Sequence, residues 1–199
     1  MGKIFCVIGK SATGKDTVYE RLLEDKKLPV KRLIPYTTRP IREGETEGET
    51  YHFCTEEMVK SLEEQGKIIE MRAYNTVYGV WKYFTVDDDQ IDLEKHNYML
   101  IGTIEMYVQI RDYYGEDKVL PIYIEVEDGE RLIRAISRER TQSVPKYEEM
   151  CRRYLADSAD FSPKRQREAG IDKVFQNEEL EQCCTKIKAY ILQCMKQKG

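Results

Sequence analysis

Gly9-Lys10-Ser11-Ala12-Thr13-Gly14-Lys15 is the stretch from which the rest of the chain is read. The apolar run Ile4-Phe5-Cys6-Val7-Ile8 precedes it and the amphipathic run Thr17-Val18-Tyr19-Glu20-Arg21-Leu22-Leu23 follows it. The order is strand, glycine-bearing loop, helix. A helix N-terminus carries N–H groups without intrahelical partners and the positive end of the macrodipole. An anion such as a nucleotide phosphate is favoured there. Gly9 and Gly14 let the backbone curl until successive N–H groups point inward, and Lys15 reaches the outer phosphates as a point charge. Gly9, Lys10, Ser11, Ala12, Thr13, Gly14, Lys15, Asp16 and Thr17 are therefore the expected donor-nucleotide contacts.

One position departs from the P-loop signature, which places Ser or Thr directly after the lysine so that its hydroxyl meets Mg²⁺. Here Asp16 stands there and Thr17 follows. A carboxylate beside phosphates is costly unless a cation sits between them, and it is a good hard ligand for Mg²⁺. Asp16 is expected to hold the metal that accompanies ATP. Its plainer use is as a first-turn acid that favours the helix dipole.

The 199 residues suit one α/β domain with inserted subdomains and are enough for a sizeable core. Charged residues make up 34% and hydrophobic residues 41%, a globular balance rather than a disordered one. The net charge of −4 gives no general drive toward nucleic acid or an anionic membrane, so neither is expected as a partner. Small-molecule nucleotides are. The first residues are too short in apolar length for a signal peptide, and no run reaches membrane-helix length. The six cysteines form no C-x-x-C pair and read as reduced thiols of a cytoplasmic protein.

Further along, short apolar runs at Lys31–Pro35, Tyr98–Ile101, Val119–Glu125 and Lys173–Phe175 alternate with helical spacing at Ile104–Tyr114, Glu127–Glu139, Lys146–Phe161 and Glu179–Lys196. Strands alternating with helices predict a mostly parallel sheet. Tyr51–Phe53, Lys67–Tyr74 and Tyr78–Phe84 read as additional strands. Thr55 reads as the cap of a helix that ends before Gly66. Asp87–Lys95 reads as helical.

Arg39 and Arg42 flank Pro40 in an irregular segment. Arginine forks match phosphate oxygens bidentately, so these two with the hydroxyl of Tyr51 form either a monophosphate cup or an ordinary solvated pair. Arg134 and Arg138 lie one helical turn apart and share a face. They close over a transferring phosphate or face solvent. Phosphoryl transfer needs positioning and positive charge more than covalent help.

These residues carry a resemblance over most of the chain. Thr37-Thr38-Arg39-Pro40-x-Arg42-x-Gly44-Glu45-x-x-Gly48-x-x-Tyr51-x-Phe53 is similar to the diagnostic block of the guanylate kinase family of nucleoside monophosphate kinases. Glu70 with Tyr78-Gly79, the pair Arg134 and Arg138, Arg153, and Val174-Phe175-Gln176-Asn177 also resemble family positions. The resemblance implies a P-loop kinase core of parallel sheet flanked by helices (residues 1–34, 86–135 and 155–199), a nucleotide-monophosphate-binding subdomain (about 35–85) and a lid (about 136–154). It implies transfer of the γ-phosphoryl group of Mg·ATP to GMP or dGMP. Thr38, Arg39, Arg42, Tyr51, Glu70 and Tyr78 would bind the acceptor, with Glu70 accepting from guanine. Lys15, Arg39, Arg134, Arg138 and Arg153 would surround the moving phosphoryl group, and Asn177 would lie by the donor base. Three positions depart from the family: Pro35-Tyr36 where a serine precedes the Thr-Thr-Arg block, Val80 after Tyr-Gly, and Gly102-Thr103 where the family has Asp-x-Asp. A ribose 1,5-bisphosphate kinase and a non-catalytic scaffold module are the alternative readings.

Overall fold

In the computed structural model, residues 1–42, 44–76 and 79–196 are described. Strand β1 (Ile4–Ile8) is fully buried and sits in the middle of a parallel five-stranded sheet. The strand order is β2 (Val30–Arg32), β7 (Asn97–Gly102), β1, β8 (Val119–Glu125), β9 (Val174–Gln176). Ile4 pairs with Tyr98 on one side and Val119 on the other. Because side chains alternate across a strand, β1 supplies both faces. Ile4, Cys6 and Ile8 pack on one side with Ile104, Tyr107 and Ile110 of helix α3 (Ile104–Tyr114). Phe5 and Val7 pack on the other with Val18 and Leu22 of α1 (Lys15–Glu24) and with Cys183, Ile187 and Ile191 of α7 (Leu180–Lys196). The continuous apolar run at β1 is thus that of a strand covered on both faces.

A second sheet has the order β4 (His52–Phe53), β3 (Tyr36–Thr37), β6 (Gly79–Val86), β5 (Ile68–Thr76). Its β5–β6 pair is antiparallel, with Glu70 opposite Thr85 and Arg72 opposite Tyr83. Helix α2 (Glu56–Glu64) buries Val59 against Phe84 and Val86, and the Thr55 hydroxyl caps it by accepting from the Met58 N–H. Sheet and core are joined where Ile69 enters the main cluster and the Met71 N–H donates to Gln109 of α3. Two further helices, α4 (Asp128–Arg140) and α5 (Tyr147–Asp160), lead to the short α6 (Pro163–Glu168), which Ser162 caps. No helix among the described residues is long and apolar enough to cross a membrane.

One expectation fails in this region. Asp87–Lys95 is not helical but a chain of turns. Its side chains capture the backbone and neighbouring groups instead. Asp88 accepts from the Gln90 N–H and the Tyr36 hydroxyl, Asp92 accepts from the Glu94 N–H, and Gln90 accepts from the Ile34 N–H. Such local Asp bonds compete with helix formation. The strand Tyr36–Thr37, which the sequence reading leaves unassigned, pairs along the edge of β6.

The completely buried Ile122 of β8 lies in the cluster beneath α1 and α7. Ile122→Ala is expected to lower unfolding stability by about 2–5 kcal/mol through lost burial and a residual cavity, read as a shift of the urea midpoint.

Candidate active site

The loop from Gly9 to Gly14 turns the chain from β1 into α1. A Cβ at Gly9 would stand 2.5 Å from the Ile124 carbonyl oxygen, so only glycine lets the loop leave the sheet this close to β8. Gly14 has φ 77 and ends in a helix start with no side-chain cap. The first N–H groups of α1 are therefore left to an outside partner, as an anion site requires. Asn177, directly after β9, holds this curl. Its Nδ2 donates to the Thr13 carbonyl at 2.7 Å and its own N–H donates to Glu125 at 2.9 Å. The family resemblance implies that Asn177 lies beside the donor base. The structure gives its amide to the loop backbone.

Basic groups gather around the loop. Lys15 Nζ lies 3.2 Å from the Asp16 carboxylate, which is 80% exposed and open to a further ligand. Arg134 donates to the Asn177 carbonyl at 3.1 Å and to Glu130 at 2.9 Å. Arg153 of α5 donates to the Ser11 hydroxyl at 3.3 Å. Arg138 is exposed near the end of α4. Thr17 is exposed on the first turn of α1.

Sequence gave no hint of the residue at the middle of this group. Arg131 is 0% exposed. Its Nε donates to Asp128 at 3.1 Å, and its Nη1 donates to the Ser11 carbonyl at 3.3 Å and to Asp157 at 3.2 Å. The Tyr154 ring lies 3.9 Å from its guanidinium carbon. Asp157 in turn accepts from the Ser11 N–H at 2.7 Å. Lys10 pairs with Asp128 at 3.1 Å.

The expected acceptor residues sit on the second sheet and the loop beside it. Arg39 is 3% exposed, and its two Nη atoms meet the two carboxylate oxygens of Glu45 at 2.9 and 2.7 Å. It also stacks on the rings of Tyr51 and Phe53. The hydrogen bonds from Arg39 hold the Glu45 carboxyl below the usual range. Burial raises the Tyr51 hydroxyl. Glu70 accepts from Arg72 at 2.9 and 3.2 Å and from the Thr85 hydroxyl at 2.9 Å, with no exposed side-chain surface of its own. Thr38 accepts from the Lys82 N–H at 3.0 Å, while Arg42 is exposed and gives its backbone N–H to Glu45. Tyr78 lies outside the described residues. Arg72 was legible only as a strand residue, and Thr85 lies just past the end of the strand read as Tyr78–Phe84. Their pairing with Glu70 comes from the β5–β6 register.

A parallel sheet whose central strand runs into a glycine-bearing loop at an uncapped helix N-terminus, ringed by basic side chains, defines a P-loop nucleotide-binding fold. A profile of the guanylate kinase family matches residues 1–194, and the chain belongs to that family. It is 28% identical over 199 residues to a guanylate kinase of Porphyromonas gingivalis, spanning 97% of this chain and 98% of that one. It is 26% identical over 193 residues to a guanylate kinase of Caldanaerobacter subterraneus subsp. tengcongensis, spanning 96% and 87%. The crystal structure of guanylate kinase from Anaplasma phagocytophilum superposes with a TM-score of 0.67 at 22% identity, over 99% of this chain and 88% of that one, and shares the fold.

Asn177→Ala removes the donor from a buried carbonyl and frees the loop curl. It is expected to cost about 1–3 kcal/mol of stability and to raise the half-saturating ATP concentration, measured by urea unfolding and by initial rates.

Proposed function

We propose that the chain transfers the γ-phosphoryl group of ATP to GMP or dGMP, giving ADP and GDP or dGDP. The observation that carries this reading is the uncapped start of α1 behind Gly14, with Lys15, Arg134 and Arg153 around it, in a chain matched by the guanylate kinase family over residues 1–194. The relatives reported above are named guanylate kinase, which favours GMP over the ribose 1,5-bisphosphate and scaffold readings.

In this mechanism the amides from Ser11 to Thr17 and Lys15 bind the donor phosphates. Arg134, Arg138 and Arg153 neutralise charge that spreads over the moving phosphoryl group. Arg39, with Arg42, Thr38, Tyr51 and Tyr78, holds the acceptor phosphate. Arg39 enters the cycle already oriented, its guanidinium fixed between aromatic rings and Glu45. Glu70 reads the base. A carboxylate accepts from guanine N1–H and the 2-amino group and repels the N1 acceptor of adenine. Thr85 and Arg72 fix that carboxylate, and a base reaches it only when Arg72 yields one edge. The acceptor phosphate is already an anion at neutral pH, so no general base is required.

Mg²⁺ fits this site. The exposed Asp16 carboxylate beside Lys15 offers one hard ligand, and this ion is commonly held by one or two carboxylates together with phosphates and water. When bound it would neutralise charge on the outer phosphates. The residues around the loop then act as an arginine-lined enclosure that excludes water, so that ATP is not simply hydrolysed. The subdomain limits proposed are residues 35–85 for acceptor binding and 136–154 for the lid.

Release of ADP from Mg·ATP, followed with GMP, dGMP, AMP, UMP, CMP and ribose 1,5-bisphosphate in turn, is expected to be confined to GMP and dGMP. Turnover with ribose 1,5-bisphosphate alone would move the substrate to that alternative. Binding of ATP without turnover of any acceptor would leave the scaffold reading. Lys15→Met is expected to lower kcat by about 10²-fold or more, as loss of a charge at the transition state does.

A further inference from the structure

Ser11 is held from one helix by groups of opposite charge. Asp157 accepts from its backbone N–H at 2.7 Å, and Arg153 donates to its hydroxyl at 3.3 Å. These two residues stand four apart on α5 and so share a face. Among the described residues the same Asp157 oxygen, Oδ2, takes both bonds, from the Ser11 N–H and from Arg131 Nη1. Arg131 meanwhile keeps one donor, Nη2, buried and, among the described residues, without a hydrogen-bond partner. A buried donor left unmade is uncommon and calls for a reason.

The arrangement has a direct consequence for an arriving nucleotide. The Ser11 amide belongs to the loop that receives phosphate, and a carboxylate already occupies it. A phosphate oxygen and Asp157 compete for one N–H, and as like charges they repel. Arg153, on the same helix, is attracted to the phosphate that Asp157 opposes. Arg131 offers the displaced carboxylate a place to go, because Nη1 and Nη2 together form the fork that binds a carboxylate bidentately.

We propose that Asp157 is a positioning residue for the phosphate loop: without nucleotide its carboxylate stands in for a phosphate oxygen on the Ser11 amide, and nucleotide entry moves it onto the Arg131 fork. The move shifts α5, and with it Arg153, as the loop fills. The unpartnered Nη2 is the donor held for that second state. This rests on the reading of the loop as the ATP site.

The test is a titration of Mg²⁺ with a non-hydrolysable ATP analogue into the wild-type chain and Asp157→Asn, with a GMP titration alongside. Asn keeps the size and the acceptor but removes the charge. The analogue is expected to bind about three- to tenfold tighter to Asp157→Asn, the difference between a charged and a neutral hydrogen-bond rival, while GMP affinity changes less than twofold. KM for ATP should fall in parallel. A residue that merely braces the helix would give weaker or unchanged binding, so unchanged or weaker analogue affinity in a variant with wild-type circular dichroism and Tm overturns the proposal. If Asp157→Asn does not fold, Asp157→Ser also removes the charge, keeps Arg131 on the Ser11 carbonyl and carries the same expectation. A wild-type chain that binds no analogue overturns both the kinase reading and this one. Binding that Asp157→Asn leaves unaltered overturns this one alone.

Discussion

The hydrogen bond from Asn177 to the Thr13 carbonyl ties the phosphate loop to the far edge of the sheet. A loop that presents its N–H groups inward has its carbonyls pointing outward, and these need partners of their own. Asn177 supplies one from the end of β9, Arg131 supplies another at Ser11 from α4, and Lys10 satisfies its own loop by accepting from the Thr13 hydroxyl. The approach is close. A Cβ at Gly14 would stand 2.6 Å from the Asn177 amide nitrogen, so the glycine serves contact as well as its left-handed backbone. The parallel sheet, with β8 and β9 beside β1, brings the carboxyl ends of these strands to one loop.

Among the described residues three arginines lie almost wholly out of solvent, and each faces an acid: Arg131 with Asp157, Arg39 with Glu45, Arg72 with Glu70. A buried cation without a partner is strongly destabilising. Here internal carboxylates meet that requirement. They keep the guanidinium groups oriented. In the proposed mechanism a phosphate or a base edge replaces or shares a carboxylate already in place.

Sequence was most legible where structure is local. β1, the glycine loop and α1 read directly, because the apolar run, Gly14 and the Val18–Leu22 spacing each act within a few residues. The runs Tyr98–Ile101 and Val119–Glu125 read as strands and lie within β7 and β8. The organisation of the site did not. Asn177 and Thr13 are separated by 164 positions and Arg131 and Asp157 by 26, so their pairing is a property of topology. Arg131 reads in sequence as one of several basic residues on an amphipathic helix, and only packing against Tyr154 and Ser11 makes it a buried centre. The turns between Asp87 and His96 escaped because Asp88 and Asp92 take backbone N–H groups that helical spacing alone would assign to the helix.

The central claim is that the amides between β1 and α1 are the phosphate-binding groups. Amide hydrogen exchange with and without Mg·ADP tests it most directly. Slowed exchange confined mainly to residues 11–17 and the first turn of α1 is the expected result. Unaltered exchange there on saturating nucleotide, with protection appearing elsewhere, would contradict it.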